Sequence, residues 1–143
     1  MNNISTEELE DFIIGKKLGY GVTRTVYDFD PDNTCVIKVA HSYDGRQTNI
    51  TEYKIWDELS NWNKKLAKWF APCISISEGG KYLVQKKIEF GRLKDYPKKV
   101  PHFFYDIKKD NYGWYGNKFV CCDYGYNNIT DHMTDRMKNV NWN

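Results

Sequence analysis

The sequence predicts an α+β fold in which one antiparallel sheet is combined with one long helix. Short stretches rich in β-branched and aromatic residues alternate with turns of Gly, Pro, Asp and Asn, whereas helical spacing of apolar residues dominates only one long stretch. The chain has 143 residues, of which 41% are hydrophobic and 16% aromatic, so it is expected to bury a small core. This length favours a single domain over residues 1–143.

The N-terminal third predicts a short acidic segment followed by three strands. Residues 5–11 are rich in Glu and predict a turn or a short helix. Two β-rich stretches flank Gly19 and Gly21, which is the pattern of a hairpin with a glycine-rich tip. A turn of Asp, Pro and Asn precedes the third strand, and residues 44–45 (Asp-Gly) predict a loop after it. The predicted strands are 12–17, 25–29 and 34–40.

A long helix is predicted over residues 49–70, with Pro72 ending it. Helical geometry turns Glu52 toward the apolar stripe and Glu58 away from it. Glu52 is also the third residue after Asn49, which is the spacing of a helix N-cap and its capping acid. An inward ion-pairing role and a capping role therefore both remain open for Glu52. The stripe consists of Ile55, Trp56, Leu59, Trp62 and Leu66.

The second half of the chain predicts shorter elements around a basic segment. Strands at 74–77 and 82–85, separated by two glycines, predict an antiparallel meander. Residues 86–109 carry eight basic and three acidic residues and contain two prolines, so they predict a loop or crossover. The last predicted elements are a hairpin at 115–117, a strand at 119–123 and a polar helix near 130–139.

Composition and charge argue against several classes of function. A formal net charge of +2 gives no field typical of nucleic-acid or membrane binders. No apolar run approaches the roughly 18 residues that span a bilayer, and no signal-like segment opens the sequence, so a cytoplasmic protein is expected. Its four cysteines are then expected to be reduced and mostly buried, without a zinc site. The basic segment 86–109, with its aromatic residues, leaves nucleic-acid binding as a less favoured alternative.

Lys38 is a polar exception in the apolar stretch Val36–Ala40. Strand alternation places its side chain on the same face as two small apolar neighbours, where a buried ammonium requires a counter-charge. The alternative is an edge-strand lysine whose ammonium reaches solvent along its own aliphatic stem. The Gly-x-Gly tip upstream is by itself an ordinary hairpin signal, and a Walker-type phosphate loop is excluded because no Gly-Lys-Ser/Thr occurs.

The order of these features resembles that of the protein kinases. The chain is most similar to the very short kinase-like proteins of tailed bacteriophages, and the resemblance covers residues 14–126. The order is a glycine-rich hairpin, a strand lysine, a helix acid, a catalytic loop and a metal motif. The segments that carry it are Leu18–Tyr27, Val36–Lys38, Asp106–Asn111 and Asp123–Gly125.

The resemblance implies that the chain binds ATP with Mg²⁺. Backbone N–H groups at Gly19 and Gly21 would approach the phosphate oxygens, and Val26 would cover the adenine ring. Arg24 stands where the family usually has a third glycine, so it either adds a cation near the phosphates or stiffens the loop. The hinge residues whose backbones would bond the adenine edge are Lys86 and Ile88; the alternative there is a surface strand with a basic end.

The resemblance also assigns the residues of phosphoryl transfer. Lys38 would contact the phosphates and pair with Glu52. Asp106 would orient or deprotonate the attacking hydroxyl, and Lys108 would neutralise charge on the phosphoryl group. The ligands of Mg²⁺ would be Asn111 and Asp123. The family's His-Arg before the catalytic Asp is replaced by Phe104-Tyr105.

Chain length limits what this resemblance implies. Residues 12–88 correspond to a kinase-like N-lobe, and residues 89–143 to a severely truncated C-lobe that keeps the catalytic loop and the metal motif. Only 17 residues separate Ile88 from Asp106, and 18 follow Gly125, so the usual C-lobe helices and peptide platform do not fit.

The favoured hypothesis is an ATP- and Mg²⁺-dependent phosphotransferase, a minimal serine/threonine protein kinase that acts on a protein partner. A weak or inactive pseudokinase that docks on or inhibits a host protein is the second hypothesis, and small-molecule phosphorylation is the third. A homo-oligomer also remains open, because loss of a lobe exposes apolar surface. For a phage-encoded protein, the cytoplasmic location would be that of the host.

Overall fold

The computed structural model describes residues 5–126 and 133–142, which form two compact units. Strands and helices both contribute, which confirms the predicted α+β class. The units are Met1–Ile50 with Cys73–Lys87, and Thr51–Pro72 with Ile88–Asn143, each in its described residues.

The first unit begins with a capped helix that leads directly into the sheet. Helix α1 (Thr6–Ile13) is preceded by Ser5, whose hydroxyl accepts the Glu8 N–H at 3.2 Å while the Glu8 carboxylate accepts the Ser5 N–H at 3.3 Å. This reciprocal capping box satisfies two backbone donors at the helix start. The predicted short helix is confirmed, and strand β1 (Ile14–Tyr20) starts two residues later than predicted.

Five antiparallel strands form the sheet of the first unit, in the order β1-β2-β3-β5-β4. The glycine-tipped hairpin, the third strand and the later meander are confirmed. Cys35, Ile37 and Val84 are buried together on one face of this sheet. Strand β3 is central, so the edge-strand alternative for Lys38 is wrong. The remaining strands are β2 (Arg24–Phe29), β3 (Cys35–Ala40), β4 (Cys73–Ile76) and β5 (Tyr82–Lys86).

The long helix starts and ends earlier than predicted. Helix α2 spans Tyr43–Trp62, so the predicted loop at residues 44–45 is wrong. Its start is stabilised by Ser42, whose hydroxyl accepts the Gly45 N–H at 3.3 Å. The helix is interrupted at Asn63, which caps the short helix α3 (Lys64–Ala67) by accepting the Leu66 N–H at 3.3 Å. An Asn side chain competes with the helical hydrogen bonds in this way.

The second unit is built on two two-stranded ladders. Strands β7 (Tyr112–Tyr115) and β8 (Lys118–Cys121) form the predicted hairpin, with Gly116 at φ 62° in its turn. Strand β6 (Lys99–Pro101) pairs with β9 (Met137–Asn139). The predicted polar C-terminal helix is therefore wrong over its described part, where 137–139 is a strand; residues 130–132 lie outside the described residues.

Aromatic side chains form the core of the second unit. Phe70 is parallel to Phe103 at a ring-centroid distance of 6.1 Å and edge-on to Phe104 at 5.4 Å and Tyr124 at 4.7 Å. All four rings are fully buried. Edge-on and offset arrangements add to the stabilisation that burial alone provides. Of the helices in the described part of the chain, none has both the length and the apolar character of a membrane span.

Candidate functional site

The glycine-rich tip lies in the first unit between β1 and β2. Gly19 pairs in register with Val26, so both lie on the same side of the hairpin. A Cβ atom added to Gly19 would meet no heavy atom within 4 Å, whereas one on Gly21 would approach the Arg24 carbonyl oxygen at 3.3 Å. The N–H of Gly21 already donates to that carbonyl at 2.8 Å. Gly19 therefore has open space around it, and the Gly21 amide closes the turn.

Arg24 points into the protein. Only 8% of its surface is exposed, and its guanidinium donates to Asn49 Oδ1 at 2.9 Å. The Asn49 side-chain nitrogen donates in turn to three carbonyls, those of Lys38 at 3.3 Å, Gly80 at 2.8 Å and Lys81 at 3.3 Å. Arg24 thus connects the base of the loop to Asn49, the seventh residue of α2.

Lys38 lies at the centre of the five-stranded sheet and is 4% exposed. Its register partners are Val26 on β2 and Leu83 on β5. Directly paired residues of antiparallel strands present their side chains on the same face. Because alternate residues share a face, Arg24, Val26 and Lys38 all belong to one side of the sheet. The structure thus brings together three of the residues predicted to contact nucleotide.

The predicted hinge follows β5. Lys86 is half-buried and its ammonium donates to the Thr34 hydroxyl at 3.1 Å, while Leu83–Gln85 are buried, so this strand is not the surface strand considered as an alternative. The N–H groups of Lys87 and Glu89 donate to Thr34 and Trp114 carbonyls at 2.9 and 2.8 Å. Ile88 lies between them and is buried.

Glu52 belongs to the second unit and is fully buried within α2. The helix begins nine residues before it, at Tyr43, so Glu52 does not cap the helix and that alternative is wrong. Glu58 is exposed, as helical geometry predicts. Burying a carboxylate in mid-helix costs free energy unless the carboxylate interacts with other groups. The burial of Glu52 is therefore consistent with its predicted place among the site residues.

Three predicted site residues contact one another in the second unit, and a backbone hydrogen bond links them to the segment of the fourth, Asp123. The Lys108 ammonium lies 3.9 Å from an Asp106 carboxylate oxygen, and the Asn111 side-chain nitrogen donates to the Asp106 carbonyl at 3.4 Å. The Asn111 carbonyl accepts the Cys122 N–H at 2.8 Å. Because Cys122 precedes Asp123, this bond joins the loop of residues 106–111 to the chain segment that bears Asp123.

Buried aromatic residues support both segments. Phe104, two residues before Asp106, lies edge-on to Tyr112 at 5.4 Å as well as to Phe70. Tyr124, which follows Asp123, donates its hydroxyl to the Ala71 carbonyl at 2.7 Å. The loop of residues 106–111 is thus preceded by the buried, packed Phe104 and by Tyr105, which is 63% exposed.

Two residues, one in each unit, have roles that were not predicted from the sequence. Lys138 on β9 donates to the Phe104 carbonyl, and its ammonium lies 5.8 Å from the Tyr105 ring centroid. Burial lowers the pKa of Lys138. The second residue is Asn49. Of the two, only Asn49 has a local signal in the sequence, as a poor helix former on the inward face of a helix. The contact of Lys138 depends on strand pairing between distant segments.

Three protonatable groups near Asp106 and Asp123 have raised pKa values. Burial raises the pKa of the Cys121 thiol well above its ordinary value, and nearby acidic groups add to the effect. Burial likewise raises the pKa of the Tyr112 and Tyr126 hydroxyls. These three groups therefore remain protonated and uncharged at neutral pH. The described cation beside Asp106 is Lys108.

The donor atoms available here suit a hard cation. Because the Asn111 nitrogen donates to Asp106, its side-chain oxygen is the atom left to accept or to bind a metal. An amide oxygen and a carboxylate are ligands that Mg²⁺ prefers, usually completed by water and phosphate. Within residues 5–126 and 133–142, no three His, Cys, Asp or Glu side chains converge as a metal-binding group. None of the four cysteines, all within the described residues, forms a disulfide, and three are buried.

Comparison with known proteins gives no family. No protein-family model matches the sequence, and no curated protein matches it.

Proposed function

We propose that the chain is an ATP- and Mg²⁺-dependent phosphotransferase that phosphorylates a hydroxyl group of a protein partner. The observation that carries this proposal is the junction in the second unit, where Asn111 bonds both to Asp106 and to the residue before Asp123. In the proposed activity, Asp106 would serve as the base, Lys108 as the cation, and Asn111 and Asp123 as the oxygen ligands. Phosphoryl transfer requires these groups and little covalent chemistry from the protein.

Each residue of the junction would have a defined role. The Asp106 carboxylate would accept the proton of the attacking hydroxyl, whose oxygen bonds to the γ-phosphorus as ADP leaves. Lys108 would balance charge on the transferred group. Asn111 and Asp123 would hold Mg²⁺, which when bound neutralises the phosphate oxygens.

The first unit would supply the nucleotide contacts. Val26 and Lys38 share a sheet face, so an adenine ring over Val26 would leave its phosphates within the reach of the lysine ammonium. The kinases that the sequence resembles use a strand lysine in this way. The missing peptide platform leaves acceptor recognition to the partner.

A second candidate is a nucleotide-binding protein without turnover, a pseudokinase. Arg24 is buried against Asn49 and the Gly21 N–H is used inside the turn, so fewer loop groups remain for phosphate. Such a loop is more rigid than a loop with a third glycine. This candidate predicts binding of ATP without transfer.

Transfer of radiolabelled γ-phosphate tests both candidates. The purified protein is incubated with labelled ATP and Mg²⁺, with itself, a Ser/Thr peptide library and a panel of small hydroxylated compounds as acceptors. Asp106→Asn and Asp123→Asn should each reduce labelling at least about 100-fold. Asp110→Asn removes an exposed carboxylate from the same loop and should retain labelling.

Binding is measured separately by titration with ATP and Mg²⁺. Gly19→Val should preserve folding, because its surroundings are open, and should weaken ATP binding. Binding without transfer would support the second candidate. Labelling that survives both Asp variants, or the absence of any ATP binding, would overturn the proposal; labelling of small compounds alone would change the acceptor class.

A further inference from the structure

A small cavity opens on the second unit, and none of the residues assigned to phosphoryl transfer lines it. Its volume is about 190 Å³. Three buried side chains form its floor, Ala67, Phe70 and Val120, and two half-buried aromatic rings, Trp56 and Tyr115, stand beside them. Sites that enclose whole small molecules are larger, roughly 300–1,000 Å³. The cavity therefore suits one apolar side chain of a longer ligand.

The backbone around this cavity is held by hydrogen bonds. The Ala71 N–H donates to the Cys121 carbonyl at 2.9 Å, and the Cys121 N–H donates to the Trp69 carbonyl at 2.8 Å. The segment around Phe70 thus continues the β7–β8 ladder as a short third strand. A floor fixed in this way is preformed, so a ligand need not order it on binding.

The edge of the cavity is cationic. Lys64, Lys68 and Lys118 contribute to its lining, all three are exposed, and no Asp or Glu is among the described lining residues. The neighbouring Lys65 differs from these three lysines, because its ammonium forms an ion pair with Asp135 at 3.3 Å. No such ion pair with a described carboxylate occurs for the three edge lysines. An apolar opening ringed by three positive charges is complementary to an apolar side chain flanked by carboxylates.

We propose that this cavity is the docking site for a short acidic peptide segment of a partner protein, with one aromatic or large aliphatic side chain in the cavity and carboxylates on Lys64, Lys68 and Lys118. This site is independent of nucleotide and of the proposed phosphotransferase activity. An acidic peptide fits better than a nucleic acid, because the three cations line a single apolar opening, whereas nucleic-acid affinity comes mainly from cations on many successive phosphates.

Fluorescence anisotropy with labelled peptides tests the site in the absence of ATP. The probes are short peptides of Glu and Asp with a central Phe, Trp, Leu or Ile, an otherwise identical peptide with a central Ala, and a short oligothymidylate. At least one of the four apolar-centred peptides should bind with a Kd below about 1 mM and more tightly than the Ala peptide. Its affinity should fall as salt is raised.

Charge reversal at the edge provides the decisive comparison. The triple variant Lys64→Glu, Lys68→Glu and Lys118→Glu alters exposed residues only and should weaken peptide binding at least about tenfold. The matched control reverses three other exposed lysines of the same unit and should bind as the unaltered protein does. Trp56→Ala should also weaken binding about tenfold, with circular dichroism checking the fold. The control residues are Lys94, Lys98 and Lys99.

Four results would overturn the proposal. They are no binding of any apolar-centred peptide, equal binding of the Ala peptide, retention of affinity in the triple Glu variant, and tighter binding of oligothymidylate that depends on the same lysines. The last result would make the cavity a base-stacking site of a nucleic-acid surface. None of these measurements depends on phosphate transfer.

Discussion

Asn49 connects one buried cation to three backbone carbonyls of the first unit. Its oxygen accepts from Arg24, and its nitrogen donates to the carbonyls of Lys38, Gly80 and Lys81, with no exposure to solvent. Buried polar groups that lose their partner pay the full cost of desolvation. The Asn49 side-chain amide therefore connects three segments: the loop between β4 and β5, the central strand β3 and the base of the glycine hairpin.

We expect Asn49→Ala to destabilise the protein strongly. The change leaves the Arg24 guanidinium and several carbonyls without this partner, at a cost of about 3 kcal/mol in the free energy of unfolding. Urea denaturation measures it. Asn61→Ala on the same helix is the control, because Asn61 is exposed and donates only to Asp57; it should cost less than about 0.5 kcal/mol. Equal effects of the two changes would contradict the role of Asn49.

At the scale of elements, the strand-like segment at Glu89 approaches β7 closely. The Glu89 N–H and carbonyl exchange hydrogen bonds with Trp114 at 2.8 Å each. A Cβ atom at Gly113 would lie 2.5 Å from the Glu89 carbonyl oxygen and 3.0 Å from Ile88 Cδ1. The Glu89 backbone cannot move aside as a flexible side chain can. Position 113 therefore requires glycine, because there is no room for a Cβ atom.

Gly113→Ala should therefore cost about 2–3 kcal/mol in the free energy of unfolding, because the methyl group forces β7 and the Glu89 segment apart. Gly19→Ala is the matched control in an open strand and should change the free energy by less than about 0.5 kcal/mol. Urea denaturation of both variants provides the comparison. If Gly113→Ala is as mild as the control, residues 88–89 do not pack against β7 as described.

The same elements show which features a sequence reveals. The hairpins at residues 14–29 and 112–121 were predictable because turn residues and alternating side chains are local signals. The pairing of β6 with β9 joins segments far apart in sequence, and a short polar segment gives no sign of it. The end of α2 at Asn63 depends on a single side-chain bond that apolar periodicity does not register.

The residues of the candidate site likewise fall into those that the sequence pattern reveals and those that it does not. Lys38 and the Asp106–Asn111 spacing stand out as residue patterns, and the structure places Lys38 in the central strand and joins Asn111 to Asp106. The side chains that support them do not stand out. Lys138 contacts the Phe104 carbonyl only because β9 pairs with β6, and Arg24 contacts Asn49 only because α2 begins earlier than its apolar pattern does.

At the scale of the whole molecule, stability should depend on pH through groups in both units. In the first unit, a hydrogen bond from the Tyr82 hydroxyl and then the Lys81 ammonium lower the pKa of Glu10 below its ordinary 4.5. In the second, burial raises the pKa of Tyr96 above its ordinary 10.0, and its hydroxyl donates to the Tyr112 carbonyl at 2.9 Å.

The sign of each contribution follows from proton linkage. The unfolded chain binds a proton at Glu10 at higher pH than the folded chain does, so this stabilisation is present above pH 4.5 and is lost as pH falls through the folded pKa. The contribution of Tyr96 to stability changes with pH in the opposite direction. The folded chain keeps its phenolic proton where the unfolded chain loses it, so stability is present below pH 10.0 and decreases above it.

The urea midpoint should therefore be nearly constant between about pH 5 and 9 and fall on both sides. Glu10→Gln should lower the midpoint at neutral pH and reduce its fall on the acid side, because the uncharged amide has no proton to gain. Tyr96→Phe should lower the midpoint by the loss of a hydrogen bond and reduce only part of the alkaline fall, because Cys121, Tyr112 and Tyr126 also contribute to it. Tyr96→Phe should leave the acid side unchanged and is the control for Glu10→Gln there. An acid fall in Glu10→Gln equal to that of the unaltered protein, or an equal alkaline fall in Tyr96→Phe, would contradict the linkage assigned to that group.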